Sequence, residues 1–247
     1  MNRNLITGTV ILGAVVAIAA TMDSGHLSPY VKAMSAAKGL DVTYSVSVVG
    51  GSRSQYHIVL AKPDKALIET PSKTYVADGE NITVYDKGRN TYFVKEQDKE
   101  SMLEIFEDED LMIWRSFFDA KAFDKVASTS EGGSRMRRGE KLNTVTVQID
   151  EKGEFTMKLH ISDKDNLVRQ AELISMEGST AKRRVLSVSK ITTSVPDSDM
   201  FVFNAPADAK ELTEAELNAE WSTEFDATLE NAATFGKGVI IDFYADW

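Results

Sequence analysis

From Asp41 onward, hydrophobic and polar positions alternate. Val42, Tyr44, Val46 and Val48 fall on one side and Thr43, Ser45 and Ser47 on the other, the period of two expected of a half-buried strand. Gly50-Gly51-Ser52 turns the chain, and Tyr56, Ile58 and Leu60 resume the pattern until Lys62-Pro63-Asp64-Lys65. Short runs at 66–70, 75–77, 82–85 and 91–94 follow, separated by Pro71-Ser72-Lys73, Asp78-Gly79 and Lys87-Gly88-Arg89-Asn90, the turn chemistry of hairpins. Ahead of this meander the period is helical. Ser28 predicts an N-cap, Pro29 the first helical position and Gly39 the C′ stop, with Tyr30, Val31, Met34 and Ala37 on one face.

The alternation stops at Lys95. Met102, Leu103, Ile105 and Phe106, then Leu111, Met112, Ile113, Trp114, Phe117 and Phe118, recur at helical spacing. The acidic residues 107–110 divide them into two short helices. Two readings stand for this segment: a lid packed as core on a sheet face, or the wall of a pocket for an acyl chain or another apolar ligand. The pocket reading names Phe106, Leu111, Trp114, Phe117 and Phe118.

Strands resume with Val145, Val147 and Ile149, then Phe155, Met157, Leu159 and Ile161, then 167–176 and 184–192. About ten strands at 8–12-residue spacing, with helices only near the start and middle, predict an α+β fold on one antiparallel sheet. A sheet of that width must curl, giving a half-barrel with short helices on its concave face. Residues 195–200 predict a helical turn. Thr213 and Glu216 form a capping box opening a further helix, with Trp221, Phe225, Leu229 and Ala233 spaced along it. A mostly apolar strand, 239–244, ends the chain.

The other end reads as a targeting segment. Arg3 precedes the apolar stretch 5–20, Ala17-Ile18-Ala19 fits a small-x-small cleavage pattern, and polar residues follow. The stretch is sixteen residues long, short of the ~20 a membrane span needs, so export to the periplasm with cleavage is expected, or else retention as an uncleaved anchor. The resulting plan is a signal peptide at 1–20, a half-barrel domain at 24–208 and a second, incomplete domain at 209–247.

Charge and chemistry narrow the function classes. A formal net charge of −10 argues against nucleic-acid partners, which require a basic field. The chain has no cysteine, which removes disulfides, thiolate metal sites and thiol nucleophiles. The densest acidic patch, 107–110, and the densest basic patch, 135–138, read as solvated loops or helix ends. His26, His57 and His160 show no metal-ligand spacing, and no nucleotide, cofactor or hydrolase motif occurs, so no catalytic, metal or cofactor residue is assigned.

Two resemblances add to this. Leu60-Ala61-Lys62-Pro63, Asp78-Gly79 leading to Val84-Tyr85, Asn90-x-Tyr92, and the ending Val195-Pro196-Asp197, Phe201-x-Phe203 and Pro206 are similar to the outer-membrane lipoprotein carrier superfamily over residues 26–206. That resemblance implies a half-barrel whose concave face accepts a lipid acyl chain or a lipoprotein segment, with an envelope protein as a further candidate partner. The ending Asp242-Phe243-Tyr244-Ala245-Asp246-Trp247 resembles the first central strand of the thioredoxin family, which leads into Cys-x-x-Cys. By that resemblance Asp242 is the buried acid and Trp247 the aromatic flanking the first cysteine, and the sequence is expected to stop just short of a redox centre. The expectation is a hydrophobic-ligand binding protein with no enzyme activity as given. The alternative is a periplasmic thiol-disulfide oxidoreductase when full length, with the half-barrel as its recognition domain. The sequence does not fix the oligomeric state.

Overall fold

A computed structural model describes residues 25–177, 180–213 and 216. The targeting segment 1–20 and the thioredoxin-like strand with Asp242 and Trp247 lie outside the described residues.

Helix α1 (Ser28–Ala36) carries Pro29 in its first turn and turns Tyr30, Val31 and Met34 inward. Six strands follow as a meander: β1 (Gly39–Val48), β2 (Arg53–Ala61), β3 (Lys65–Glu69), β4 (Lys73–Ala77), β5 (Asn81–Asp86) and β6 (Thr91–Glu96). After a helical crossing come β7 (Ser128–Arg137), β8 (Glu140–Gln148), β9 (Phe155–Ser162), β10 (Val168–Glu177) and β11 (Thr180–Thr192), a second meander. The two join because β1 pairs antiparallel with β2 on one side and with β11 on the other. The product is one curled sheet in the order β12-β6-β5-β4-β3-β2-β1-β11-β10-β9-β8-β7, where β12 (Lys210–Glu211) lies parallel to β6.

Alternation decides which face is buried. Val42, Tyr44 and Val46 of β1, Ile58 and Leu60 of β2, Leu159 of β9 and Leu186 of β11 all join one apolar cluster on the concave side. Tyr44 stands opposite Tyr56, and their rings stack at 5.0 Å. A smaller cluster of Val59, Ala61 and Phe201 lies on the other face, where the 3-10 turn Ser198–Phe201 crosses the sheet.

Four expectations are corrected. Val48 does not continue the buried row; it is 42% exposed, because the core ends where β1 meets the Arg184 end of β11. Ser28 is not an N-cap: Leu27 holds that place and no side chain caps the helix. Gly39 is not a helix stop but the first residue of β1, and its role is steric. A Cβ there would lie 2.3 Å from the Ser194 carbonyl oxygen and 2.6 Å from Pro196 Cδ. The basic residues 135–137 belong to an edge strand rather than a loop or helix end. That strand, β7, shows no alternation in Ser-Thr-Ser-Glu-Gly-Gly-Ser, because an edge strand with two solvated faces needs none. It pairs through its backbone with β8 and bulges between Glu131 and Ser134, where Gly133 takes φ +81°.

Just past the end of the expected half-barrel, Lys210 and Glu211 extend the β6 edge, with Leu212 N–H donating to the Tyr92 carbonyl at 2.7 Å. The capping box is present beyond it: Glu216 accepts from the Thr213 amide at 2.8 Å and from its hydroxyl at 2.9 Å. Among the described residues, no helix is long and apolar enough to cross a membrane.

Candidate ligand-binding face

The concave face is covered by the crossing between β6 and β7. Asp98 starts it with a capping box: its carboxylate accepts from the Ser101 amide at 2.7 Å, and the Ser101 hydroxyl faces the Asp98 amide at 3.0 Å. Helix α2 (Lys99–Glu104) then runs into two 3-10 turns, Ile105–Glu107 and Met112–Phe117. The first predicted helix is therefore a short α-helix running into a 3-10 turn and the second a 3-10 turn, with the acidic break between them.

The four aromatic side chains among the five designated from the sequence separate into two groups. Phe106, Phe117 and Phe118 pack together, with Phe117 edge-on to Phe118 at 4.9 Å and Phe106 tilted against Phe118 at 6.0 Å. Trp114 lies apart, its ring 5.5 Å from that of Tyr44. Phe106, Leu111, Trp114 and Phe117 are fully buried, while Phe118 is half-buried against the same cluster. Lys62 places its ammonium 5.1 Å from the Phe117 ring centre and donates to the Ser35 carbonyl, tying the far end of the cover to α1.

Sequence reasoning missed the polar attachments. Asp110 belongs to the acidic patch expected to be solvated, yet only its neighbours Glu107 and Asp108 are exposed; Asp110 is 8% exposed. Tyr56 donates to its Oδ2 at 2.9 Å, Arg184 approaches its Oδ1 at 3.2 Å, and Tyr44 donates to its backbone carbonyl at 2.9 Å. Arg184 also pairs with Glu109, and the Tyr30 hydroxyl donates to the Ile113 carbonyl. Burial raises the Asp110 carboxyl above its ordinary value; the Tyr56 hydrogen bond opposes this and the Asp108 charge adds to it. Burial likewise raises the Tyr44 and Tyr30 phenols. A signal was present in the alternation itself: Tyr44 and Tyr56 sit at inward positions, where a hydroxyl needs a partner. That partner could not be named without the fold.

Four buried side-chain atoms in the cover, Asp110 Oδ1, Trp114 Nε1, Arg115 Nε and Ser116 Oγ, make no well-formed hydrogen bond, although Arg184 faces Asp110 at 3.2 Å and Asp119 faces Arg115 at 3.7 Å. The three histidines stay apart. His26 lies 3.4 Å from Glu131, His57 sits between Asp41 at 3.1 Å and Glu69 at 3.0 Å, and His160 bonds Thr144 at 2.9 Å. Among the described residues, no three such groups converge on a metal position. A surface cleft of about 400 Å³ lies on the outer side of the cover, between α2 and Arg115, with Lys99, Glu100, Glu104 and Glu107 on its rim.

No family model and no curated protein matches the sequence. Solved structures resemble it in outline. An uncharacterized conserved protein from Thermus thermophilus aligns at 10% identity with a TM-score of 0.49, over 75% of this chain and 96% of that one. MucB of Pseudomonas aeruginosa, in a complex with MucA, aligns at 12% identity and 0.40, over 73% of this chain and 62% of that one. A LolA superfamily protein from Nitrosomonas europaea aligns at 9% identity and 0.34, over 72% and 96%.

Proposed function

We propose that this protein is an exported envelope protein that carries a hydrophobic ligand, a lipid acyl chain or a lipoprotein segment, against the concave face of its sheet. Residues 99–118 serve as a lid that the ligand displaces. Phe106, Leu111, Trp114, Phe117 and Phe118 are then the surface that exchanges sheet contacts for ligand contacts.

One observation carries this reading. A wide apolar sheet face is covered by a six-residue helix and 3-10 turns rather than by long helices. Such an element has few internal backbone hydrogen bonds, so it belongs to the low-stability end of the molecule. Its attachments include a carboxylate whose charge burial disfavours, and it buries four side-chain atoms without well-formed hydrogen bonds, a density that a permanent core element rarely carries.

The test is to purify the protein, extract it and identify co-purifying lipids by mass spectrometry, then titrate it with a fluorescent fatty acid. Wild type is expected to bind, and a Tyr44→Phe/Tyr56→Phe variant to bind faster, because both hydroxyls fasten the lid at Asp110. A lipid-free protein that ignores the fatty acid in both forms would overturn the reading.

A further inference from the structure

A second cleft lies on the opposite, convex face, where the β7–β8 hairpin turns beside the bulged ends of β10 and β11. Its volume is about 170 Å³, and Arg137, Arg138, Arg169 and Lys190 line it with a single carboxylate, Glu140. That volume is below the roughly 300 Å³ at which small-molecule pockets begin. It matches the liquid share of about six waters at about 30 Å³ each. The space suits one small polar group and excludes an acyl chain.

The cations differ in how they are neutralised. Arg169 is held by Glu140 at 3.0 Å and Asp165 at 2.6 Å, and Lys190 by Asp41 at 2.6 Å. Arg137 and Arg138, and Arg135 beside them, have no carboxylate partner among the described residues. Arg135 and Arg137 instead donate to the same atom, Gln170 Oε1, at 2.6 and 3.0 Å. They are two residues apart on one edge strand, so their side chains leave the same face. Two guanidinium forks thus converge on one neutral amide oxygen. Like charges pressed together without a counter-ion are unfavourable, and a fork matches a multivalent oxyanion far better than one amide oxygen.

The surrounding field agrees. Burial lowers the Arg137 pKa, and the charges of Arg138 and Arg135 lower it further. Burial and then Arg135 likewise lower His160, on the adjacent strand β9. A chain of net charge −10 here concentrates one sign on one hairpin.

We propose that this cleft binds a phosphate-class oxyanion held by Arg137 and Arg138, which line it, together with Arg135, which meets Arg137 at Gln170 beside it. The anion bridges the guanidinium groups that now share Gln170, while Arg169 and Lys190, each already paired with carboxylates, close the wall behind it. Its source is either a free phosphate or the headgroup of an anionic phospholipid. The exposed Met136 between the arginines, 68% accessible, is compatible with either. The site is independent of the concave face and stands whether or not that face carries a ligand.

The experiment measures two probes: inorganic phosphate by titration calorimetry at low salt, and co-sedimentation with phosphatidylcholine vesicles with and without phosphatidylglycerol. Arg135→Gln/Arg137→Gln is expected to weaken binding at least tenfold, while Lys32→Gln/Lys38→Gln, which removes two exposed charges from the α1 region, leaves it unchanged. Gln170→Glu places a built-in carboxylate where the anion would sit. It is expected to raise the urea midpoint and lower affinity at least tenfold, a pairing that a purely structural cluster would not give. Phosphate binding assigns the free anion, and binding only to phosphatidylglycerol vesicles assigns the headgroup. Failure of both probes, equal loss in the two double variants, or wild-type affinity in Gln170→Glu overturns the proposal.

Discussion

Tyr56 and Asp110 are 54 residues apart in sequence and meet at 2.9 Å, phenol donating to carboxylate. One belongs to the sheet and the other to its cover, so this contact, with the Arg184 ion pair, joins the two structural layers. Hydrogen bonds to charged groups contribute about 1.5–3 kcal/mol, more than neutral ones. Tyr56→Phe is therefore expected to cost about 1–3 kcal/mol, measured as a lower urea midpoint. The accompanying signature is faster amide exchange confined to residues 99–118, with β1 and β11 still protected. Uniform loss of protection would mean that cover and sheet open together.

Phe106 and Phe118 touch each other but differ in burial, which separates their roles. Removing a fully buried phenyl leaves a cavity and typically costs about 3–5 kcal/mol. Phe106→Ala is expected in that range, and Phe118→Ala clearly below it. Denaturation curves of the two variants, taken side by side, decide this. Equal losses would show that Phe118 carries as much of the packing as its neighbour.

The strands were legible because Val42, Tyr44 and Val46, or Met157, Leu159 and Ile161, alternate with polar residues, even though some of those, Ser45, His160 and Ser162, are themselves buried, and the turns because Asp78-Gly79 and Asn90 carry their own geometry. Gly79 has φ +106° and Asn90 φ +53°, while Asp78 accepts from the Glu80 and Asn81 amides at 2.8 Å each. Strand β7 was illegible because pairing through the backbone leaves no mark on its side-chain pattern. The Asp110 attachment was hidden for another reason: local charge density predicts solvation, and only strands brought in from Tyr56 and Arg184 reverse that. The Gln170 cluster was equally out of reach, since Arg135 and Arg137 gain meaning only when β10 lies nearby.

Gly39 offers a sharp steric test. Its missing Cβ leaves room for the Ser194 carbonyl and Pro196, both backbone-linked groups that cannot rotate away. Overpacking of this kind costs about 1–3 kcal/mol, so Gly39→Ala is expected to lower stability by that amount. Gly88→Ala, where the nearest atom is the Asp86 carboxylate at 3.4 Å, is expected to be close to neutral. Thermal melts of both variants check the contrast, and a neutral Gly39→Ala would mean that residues 194–196 can move off the sheet.

The Asp110 carboxyl gives a pH dependence whose sign differs from that of the other acids here. Asp41, Glu140 and Glu172 are lowered, with burial opposed at Asp41 and Glu172 by hydrogen bonds from Lys190 and Arg183, and with the Ser162 hydrogen bond foremost at Glu140. Their stabilisation is present above the ordinary carboxylate value and is lost as pH falls through their folded values. Asp110 is raised by burial, so the folded state holds its proton more tightly than the unfolded state. Its contribution is fully present below the ordinary carboxylate value, near 3.9, and disappears as pH rises through the folded value. Asparagine imitates the protonated form and still accepts from Tyr56. Asp110→Asn is therefore expected to match wild type at acid pH and to exceed it at neutral pH, the gap opening across the window above pH ~4. Because the lowered acids are common to both proteins, the difference between their urea midpoints from pH 3.5 to 7.5 isolates this one group. A gap that closes with rising pH would show that the Arg184 ion pair outweighs burial, making Asp110 a net fastener of the cover at neutral pH.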